Sequence, residues 1–295
     1  MTEQQGAPAS RPAPFCYRHP DRETYVACQR CGRPICPDCM RPASVGFQCP
    51  ECVAEGAKTV RQPRTVAGGL VPRQVGLVTY VLIGLNVAAF LVELATGGVN
   101  GTFVQWGAML PQSAIDPGSG QLLRGVADGA WWRPVTSAFL HANILHIAFN
   151  MYALYLFGPL LERWLGTVRF VAMYLTCAVG ASLVVYVLSN PLSFALGASG
   201  AVFGLFGVAL VMMHQRSYDV RTLLVLLAIN GGITFLVPGI SWQAHVGGLA
   251  TGLVLGAAFA YAPRQSRGLV QWGTFAALWV LIVAGYVLQT MALSA

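Results

Sequence analysis

Residues 197–215 read GASGAVFGLFGVALVMMHQ, and residues 243–261 read QAHVGGLATGLVLGAAFAY. Both runs are apolar, and each opens on one chemically reactive side chain, Ser199 in the first and His245 in the second. Small residues then recur at helical spacing: Gly200, Gly204 and Gly207 after the serine, Gly248, Gly252 and Gly256 after the histidine. Faces of small residues let two membrane helices approach closely. Pairing these two faces would bring Ser199 Oγ within hydrogen-bond reach of His245, the arrangement in which a base activates a nucleophile. Each part alone has a plainer explanation: generic helix packing for the glycines, a helix N-cap for Ser199, a satisfied core histidine for His245. The combination is what points to chemistry.

The rest of the chain places these helices in a membrane. Of 295 residues, 55% are hydrophobic and 10% charged, where a soluble domain carries about 25% charged. So few charges cannot cover a water-facing surface, which makes the chain an integral membrane protein. A span takes about 20 apolar residues, and seven segments qualify, at 75–95, 139–160, 168–188, 199–215, 221–238, 241–261 and 270–292. The fourth and fifth are short or interrupted, with Asn230-Gly231-Gly232 inside the fifth. Arg61, Arg64, Arg73, Arg163, Arg169, Arg216, Arg221, Arg264 and Arg267 all fall on one side of this arrangement, and only Arg124 and Arg133 on the other. Basic residues collect in cytoplasmic loops, so the N-terminus is expected in the cytoplasm. The net charge of +7 has the same source. With no basic stripe and interleaved aromatics, nucleic acid is not an expected partner.

Polar groups at membrane depth are costly and mark function. Four stand out: His146, Asn150, Ser199 and His245. The topology puts all four within a few turns of the outer ends of the second, fourth and sixth spans. His146 and Asn150, four apart, share a helix face and could donate to an oxyanion beside the Ser199 N–H. Of the acids after residue 60, Glu162 and Asp219 read as cytoplasmic, Asp116 and Asp128 lie in the 96–138 loop, and Glu93 has no reason to adjoin His245. A Ser–His dyad is therefore expected in place of a triad. The 96–138 loop, with Trp106, Trp131 and Trp132, fits a segment lying at the membrane interface.

Seven of the eight cysteines precede residue 53, and Cys177 stands alone in an apolar run. With His19 they form four pairs: Cys16-x2-His19, Cys28-x2-Cys31, Cys36-x2-Cys39 and Cys49-x2-Cys52. Eight such ligands make two closed, structural Zn2+ sites, and a unit of this size needs a staple to fold. A disulfide framework would leave His19 without a role and one cysteine unpaired, in a compartment that keeps thiols reduced. The pattern resembles a B-box or related cross-brace finger. That resemblance implies one zinc on Cys16, His19, Cys36 and Cys39 and another on Cys28, Cys31, Cys49 and Cys52. Sequential pairing is the alternative.

The body resembles the rhomboid intramembrane serine proteases over residues 75–262. Trp132-Arg133, His141, His146-Ile-Ala-Phe-Asn150, Glu162-Arg-Trp-Leu-Gly166, Gly197-Ala-Ser-Gly200 and Ala244-His245-Val-Gly-Gly248 carry the likeness in order. It implies a Ser199/His245 catalytic dyad, an oxyanion site of His146, Asn150 and the Ser199 N–H, and Phe203 packed on the histidine where many members carry tyrosine. Trp132-Arg133 matches a structural loop motif.

The expected fold is an all-α membrane protein, a six-helix core with a seventh C-terminal transmembrane helix and a small N-terminal zinc-stapled domain. The chain divides as 1–14 disordered N-terminus, 15–53 zinc-binding domain, 54–73 linker, 74–262 protease core and 263–295 seventh helix. The expected activity is serine endopeptidase cleavage of transmembrane protein substrates in the bilayer, with the active site opening to the extracytoplasmic face of the cell membrane and no cofactor in catalysis. A cytosolic protein partner, regulation of the protease and self-association are the roles open to the head. A helix-binding chaperone without activity would be the rival, but such relatives usually lose the serine or histidine. A transporter is weaker, since the polar groups cluster near one face and no inverted repeat is evident.

Overall fold

The computed structural model describes residues 13–59 and 62–294; most of the segment read as a disordered N-terminus, residues 1–12, lies outside the described residues. The chain forms two compact units, residues 1–62 and 63–295.

The first unit has almost no regular structure. A two-residue hairpin, β1 (Arg41–Pro42) and β2 (Phe47–Gln48), leads to one helix, α1 (Pro50–Thr59). Its buried core is six of the seven cysteines and Ile35, with Tyr17 and Met40 packed against it, while Cys31 is exposed. So small an apolar core cannot offset the entropy of ordering the chain.

The second unit is helical: α2 (Leu77–Ala95), α5 (Ile144–Leu165), α6 (Thr167–Leu188), α7 (Ser199–Gln215), α8 (Arg221–Leu236), α9 (Trp242–Tyr261) and α10 (Arg267–Ser294). Between α2 and α5 lie two short helices, α3 (Thr102–Gly107) and α4 (Arg133–Thr136), and a hairpin of β3 (Ala114–Ile115) and β4 (Leu122–Leu123). Five of the long helices, α2, α5, α6, α9 and α10, are long and apolar enough to cross a membrane; α7 and α8 are shorter apolar helices. The protein is thus a multi-pass, all-α membrane protein with a cysteine-rich N-terminal unit.

Helix α6 sits in the middle, its Phe170, Met173, Tyr174 and Cys177 fully buried. Around it, α7 and α9 touch backbone to backbone. A Cβ on Gly248 would overlap the Gly200 carbonyl, and one on Gly252 would overlap that of Gly204; one on Gly207 would lie 2.8 Å from the Leu249 oxygen. The glycine faces read from the sequence are the contact. Helix α10 lies along α6, where Trp279 Nε1 donates to Thr176 Oγ1 at 3.1 Å and Tyr186 and Thr290 hydroxyls pair at 2.9 Å.

Two connecting segments carry structure of their own. In the expected linker, residues 54–73, α1 runs to Thr59, while Thr65 and Ala67 are buried in the second unit, Ala67 N donating to Trp164 O at 3.0 Å and Gln271 Nε2 to Ala67 O at 3.0 Å. The 96–138 loop, expected at the membrane interface, is itself a folded element. Met109 and Ala195 exchange backbone hydrogen bonds of 2.8 and 3.0 Å, which ties the loop to the strand-like approach to α7.

Candidate active site

The four sequence-selected residues all lie in the first two turns of helices that begin at the same end of the bundle. Asn143 caps α5 by accepting the His146 N–H at 2.9 Å, a contact whose removal costs about 1 kcal/mol. That cap fixes where His146 and, one turn on, Asn150 emerge. Ser241 caps α9 in the same way, accepting from Ala244 N at 3.3 Å, and His245 follows directly. Ser199 is the first residue of α7, which has no side-chain cap, so its hydroxyl is not spent on the helix end.

These side chains converge. Gly197 adopts φ +136°, and a Cβ there would lie 2.7 Å from His146 Cε1 and 3.4 Å from Ser199 Oγ. The absence of a side chain at Gly197 is thus what opens the space between imidazole and hydroxyl. Phe203, one turn after Ser199, stacks on His245 with ring centroids 4.1 Å apart and planes 10° from parallel. His146 Nδ1 accepts from Ala142 N at 3.4 Å; in the neutral ring the proton then sits on Nε2. Asn150, buried, donates through Nδ2 to His146 O at 2.8 Å, which uses one of its two amide protons. The direct Ser199–His245 hydrogen bond expected from the sequence is not among those of the described residues. The histidine's Nδ1 is instead 2.6 Å from Thr234 Oγ1 of α8, a partner that the sequence reading missed.

Against this geometry, the rhomboid domain family matches residues 128–262, the stretch from the end of the long loop through α9. The Bacillus subtilis (strain 168) protein named "Putative rhomboid protease YdcA" is 39% identical over 137 residues, which take in 44% of this chain and 68% of that protein. The chain belongs to the rhomboid family. It is an intramembrane serine endopeptidase. Rhomboid protease GluP of the same organism is 36% identical over 187 residues, 61% of this chain and 34% of GluP. Rhomboid protease AarA of Providencia stuartii is 25% identical over 225 residues, 64% of this chain and 74% of AarA.

The other rhomboid motif residues hold the scaffold. Arg133 is buried and donates Nε to Arg124 O at 2.7 Å and Nη1 to Ala108 O at 2.5 Å, which closes the loop on itself. Burial pulls this guanidinium down to about 10. Trp132 stacks on Trp106 at 5.5 Å and donates Nε1 to Trp106 O at 3.0 Å. Glu162, expected on the cytoplasmic side, is fully buried. It accepts from Val78 N and Thr79 N at 3.4 Å each, and from Thr79 Oγ1 at 3.3 Å. It therefore caps α2 from another helix, since Gly76 offers α2 no side-chain cap. Glu93 accepts the His141 N–H at 3.1 Å on both oxygens.

In the N-terminal unit, the eight predicted ligands gather as two sets, Cys16, His19, Cys36 and Cys39, and Cys28, Cys31, Cys49 and Cys52. Within each set the ligand atoms lie within 4.8 Å of one another. The fold therefore brings together the cross-braced partners and not the sequential ones. Cys31 and Cys49 sulfurs are 3.8 Å apart, far beyond a disulfide of about 2.05 Å. Tetrahedral zinc with Zn–S of about 2.3 Å separates sulfurs by about 3.8 Å. His19 Nδ1 stands 3.2 Å from Cys36 Sγ and 3.4 Å from Cys39 Sγ. Either cluster could hold a metal ion.

Proposed function

We propose that Ser199 is the nucleophile and His245 the general base of this rhomboid, with His146, Asn150 and the Ser199 N–H as the oxyanion site. The observation that carries the reading is the shared space at Gly197, flanked by the His146 ring and Ser199 Oγ, with Phe203 holding His245 one helical turn away. Ser199 Oγ attacks the scissile carbonyl as His245 takes its proton, and His245 returns that proton to the leaving amine. The developing oxyanion sits before the His146 Nε2–H, the free Asn150 amide proton and the Ser199 N–H. His245 then takes a proton from water as the water oxygen attacks the acyl carbonyl, and gives that proton to Ser199 Oγ as the ester bond breaks and the carboxylic acid leaves. Hydrogen bonds of a dyad are often long before substrate arrives, which accommodates the separation of Ser199 from His245. Among the described residues the hydrogen-bond partner of His245 Nδ1 is a threonine and not an acid, and that favours a dyad.

The substrates are transmembrane proteins, cut near the end of the bundle where α5, α7 and α9 begin. The arginine distribution puts that end on the extracytoplasmic face of the cell membrane and the N-terminus in the cytoplasm. The functional division is a zinc-binding domain at 15–53, a protease core at 74–262 and a seventh span after 263. Labelling with a fluorophosphonate probe tests the nucleophile: the wild-type chain takes one adduct on Ser199, and Ser199→Ala takes none. An adduct mapped to another serine overturns the assignment.

The two clusters take Zn2+. Three thiolates with one imidazole, and four thiolates, are soft tetrahedral sets with no position left open. The ions would therefore staple the head and leave catalysis to the serine site. Binding of a cytosolic protein is the role proposed for the stapled head. Elemental analysis of the full chain should find about two zinc per protein, one for each cluster, and about one in Cys28→Ser. Two zinc in that variant, or none in the wild type, would contradict the proposal.

A further inference from the structure

Helix α8 buries only two of its residues, Leu223 near its start and Thr234 near its end. The second of these is the one that meets the site. Its Oγ1 has two short contacts, 2.6 Å to the Asn230 carbonyl oxygen and 2.6 Å to His245 Nδ1. A hydroxyl has one proton to give. The carbonyl can only accept, so the threonine proton goes to Asn230 O, one turn back in its own helix. The oxygen's lone pair then faces Nδ1, and the contact at that nitrogen exists as a hydrogen bond only if Nδ1 carries a proton. In a neutral imidazole a protonated Nδ1 leaves Nε2 as the free base.

We propose that Thr234 is a positioning residue for the base: its hydroxyl, oriented by Asn230 O, selects the Nδ1–H tautomer of His245 and directs Nε2 to take the Ser199 proton. This rests on the Ser199/His245 reading above and adds to it the group that does a triad acid's orienting work without a negative charge. Phe203 fixes the plane of the ring through the stack, and Thr234 fixes its rotation within that plane. Neither contact alone determines which nitrogen faces the serine.

The geometry also explains why a threonine serves here. Valine has the same shape but no lone pair to offer. An Asn or Gln could present its NH2 and favour the wrong tautomer. A carboxylate would be a costly buried charge in an otherwise apolar helix.

The test uses the full-length protein in detergent or vesicles, with a transmembrane substrate. Thr234→Val is expected to lower kcat about ten- to a hundred-fold, the usual cost of losing a group that orients a site ligand, with KM little changed. Thr234→Ser should recover most of the rate, which a packing role would not predict. In the wild type labelled with 15N-histidine, neutral His245 should show a protonated Nδ1 and a bare Nε2, and Thr234→Val should shift it toward the Nε2–H form. Wild-type kcat in Thr234→Val, or an Nε2–H tautomer in the wild type, overturns the proposal. The tautomer measurement needs no variant, so a Thr234→Val chain that fails to fold leaves the test standing. If Ser199→Ala and His245→Ala stay active, the dyad reading itself has failed; if both are inactive and Thr234→Val is not impaired, only the role of Thr234 is wrong.

Discussion

Ser199→Ala and His245→Ala are each expected to slow cleavage of a transmembrane substrate by about 10^4-fold or more, and the double variant to lose no more than the worse single one. The reason is that, in the proposed mechanism, the two groups share one step. Without Oγ there is nothing for the imidazole to deprotonate; without the imidazole, Oγ is an alcohol far from ionised at neutral pH. What survives is the binding of substrate and the polarisation of its carbonyl by the oxyanion donors, which is why residual rates in serine hydrolases stay above that of water. The serine variant is the cleaner probe. It removes one half-buried oxygen from a helix end that has no side-chain cap, so melting should match the wild type. His245→Ala also empties the place beside Phe203 and leaves Thr234 Oγ1 without its ring partner, so some loss of stability should accompany it. The measurement is single-turnover cleavage in vesicles with thermal melting in parallel. Full activity in either single variant, with the fold intact, would sink the dyad; losses that multiply in the double variant would mean that the two act in separate steps.

Much of this was legible in the sequence because bilayer depth and helical spacing leave few choices. Apolar length placed the seven long helices, and the glycine spacing identified the α7–α9 contact. Boundaries moved where local chemistry intervened: α5 starts at Ile144 instead of near 139, because Asn143 caps it and the preceding residues form α4 and a short 3-10 turn. What stayed hidden depends on partners distant in the chain. Glu162 looks like a loop acid until the fold presents it with the α2 N-terminus, 83 to 84 residues away. Thr234 looks like any threonine bonding back into its own helix, and only the approach of α9 gives its lone pair a use. Metal-ligand spacing is equally silent on partition, since each pair can face either of two neighbours; tertiary structure joins Cys16 and His19 to Cys36 and Cys39.

Gly248→Val is expected to cost the enzyme at least about 10^2-fold in rate together with a clear fall in melting temperature. In lipid no hydrophobic drive holds α7 on α9, because the bilayer is as apolar as their side chains; close packing does. A Cβ on residue 248 would overlap the Gly200 carbonyl oxygen, and the obstacle is backbone on a buried helix, with no flexible side chain to swing aside. The helices must part, at a cost above the ~1–3 kcal/mol of ordinary overpacking. Gly200 adjoins Ser199, and His245 lies three residues before Gly248, so the separation is imposed on the proposed reacting pair itself. A misplacement of about 1 Å is enough for a hundred-fold loss. Gly252→Val meets the Gly204 carbonyl one turn farther from His245; it should melt as early as Gly248→Val but keep more of its rate when assayed well below its melting point. Gly84→Val is the control, because nothing lies within 4 Å of a Cβ at that position in α2, and it should behave as wild type. If Gly248→Val melts and cleaves like Gly84→Val, then α7 and α9 do not meet through their glycines, and the route by which the fold sets Ser199 against His245 is a different one.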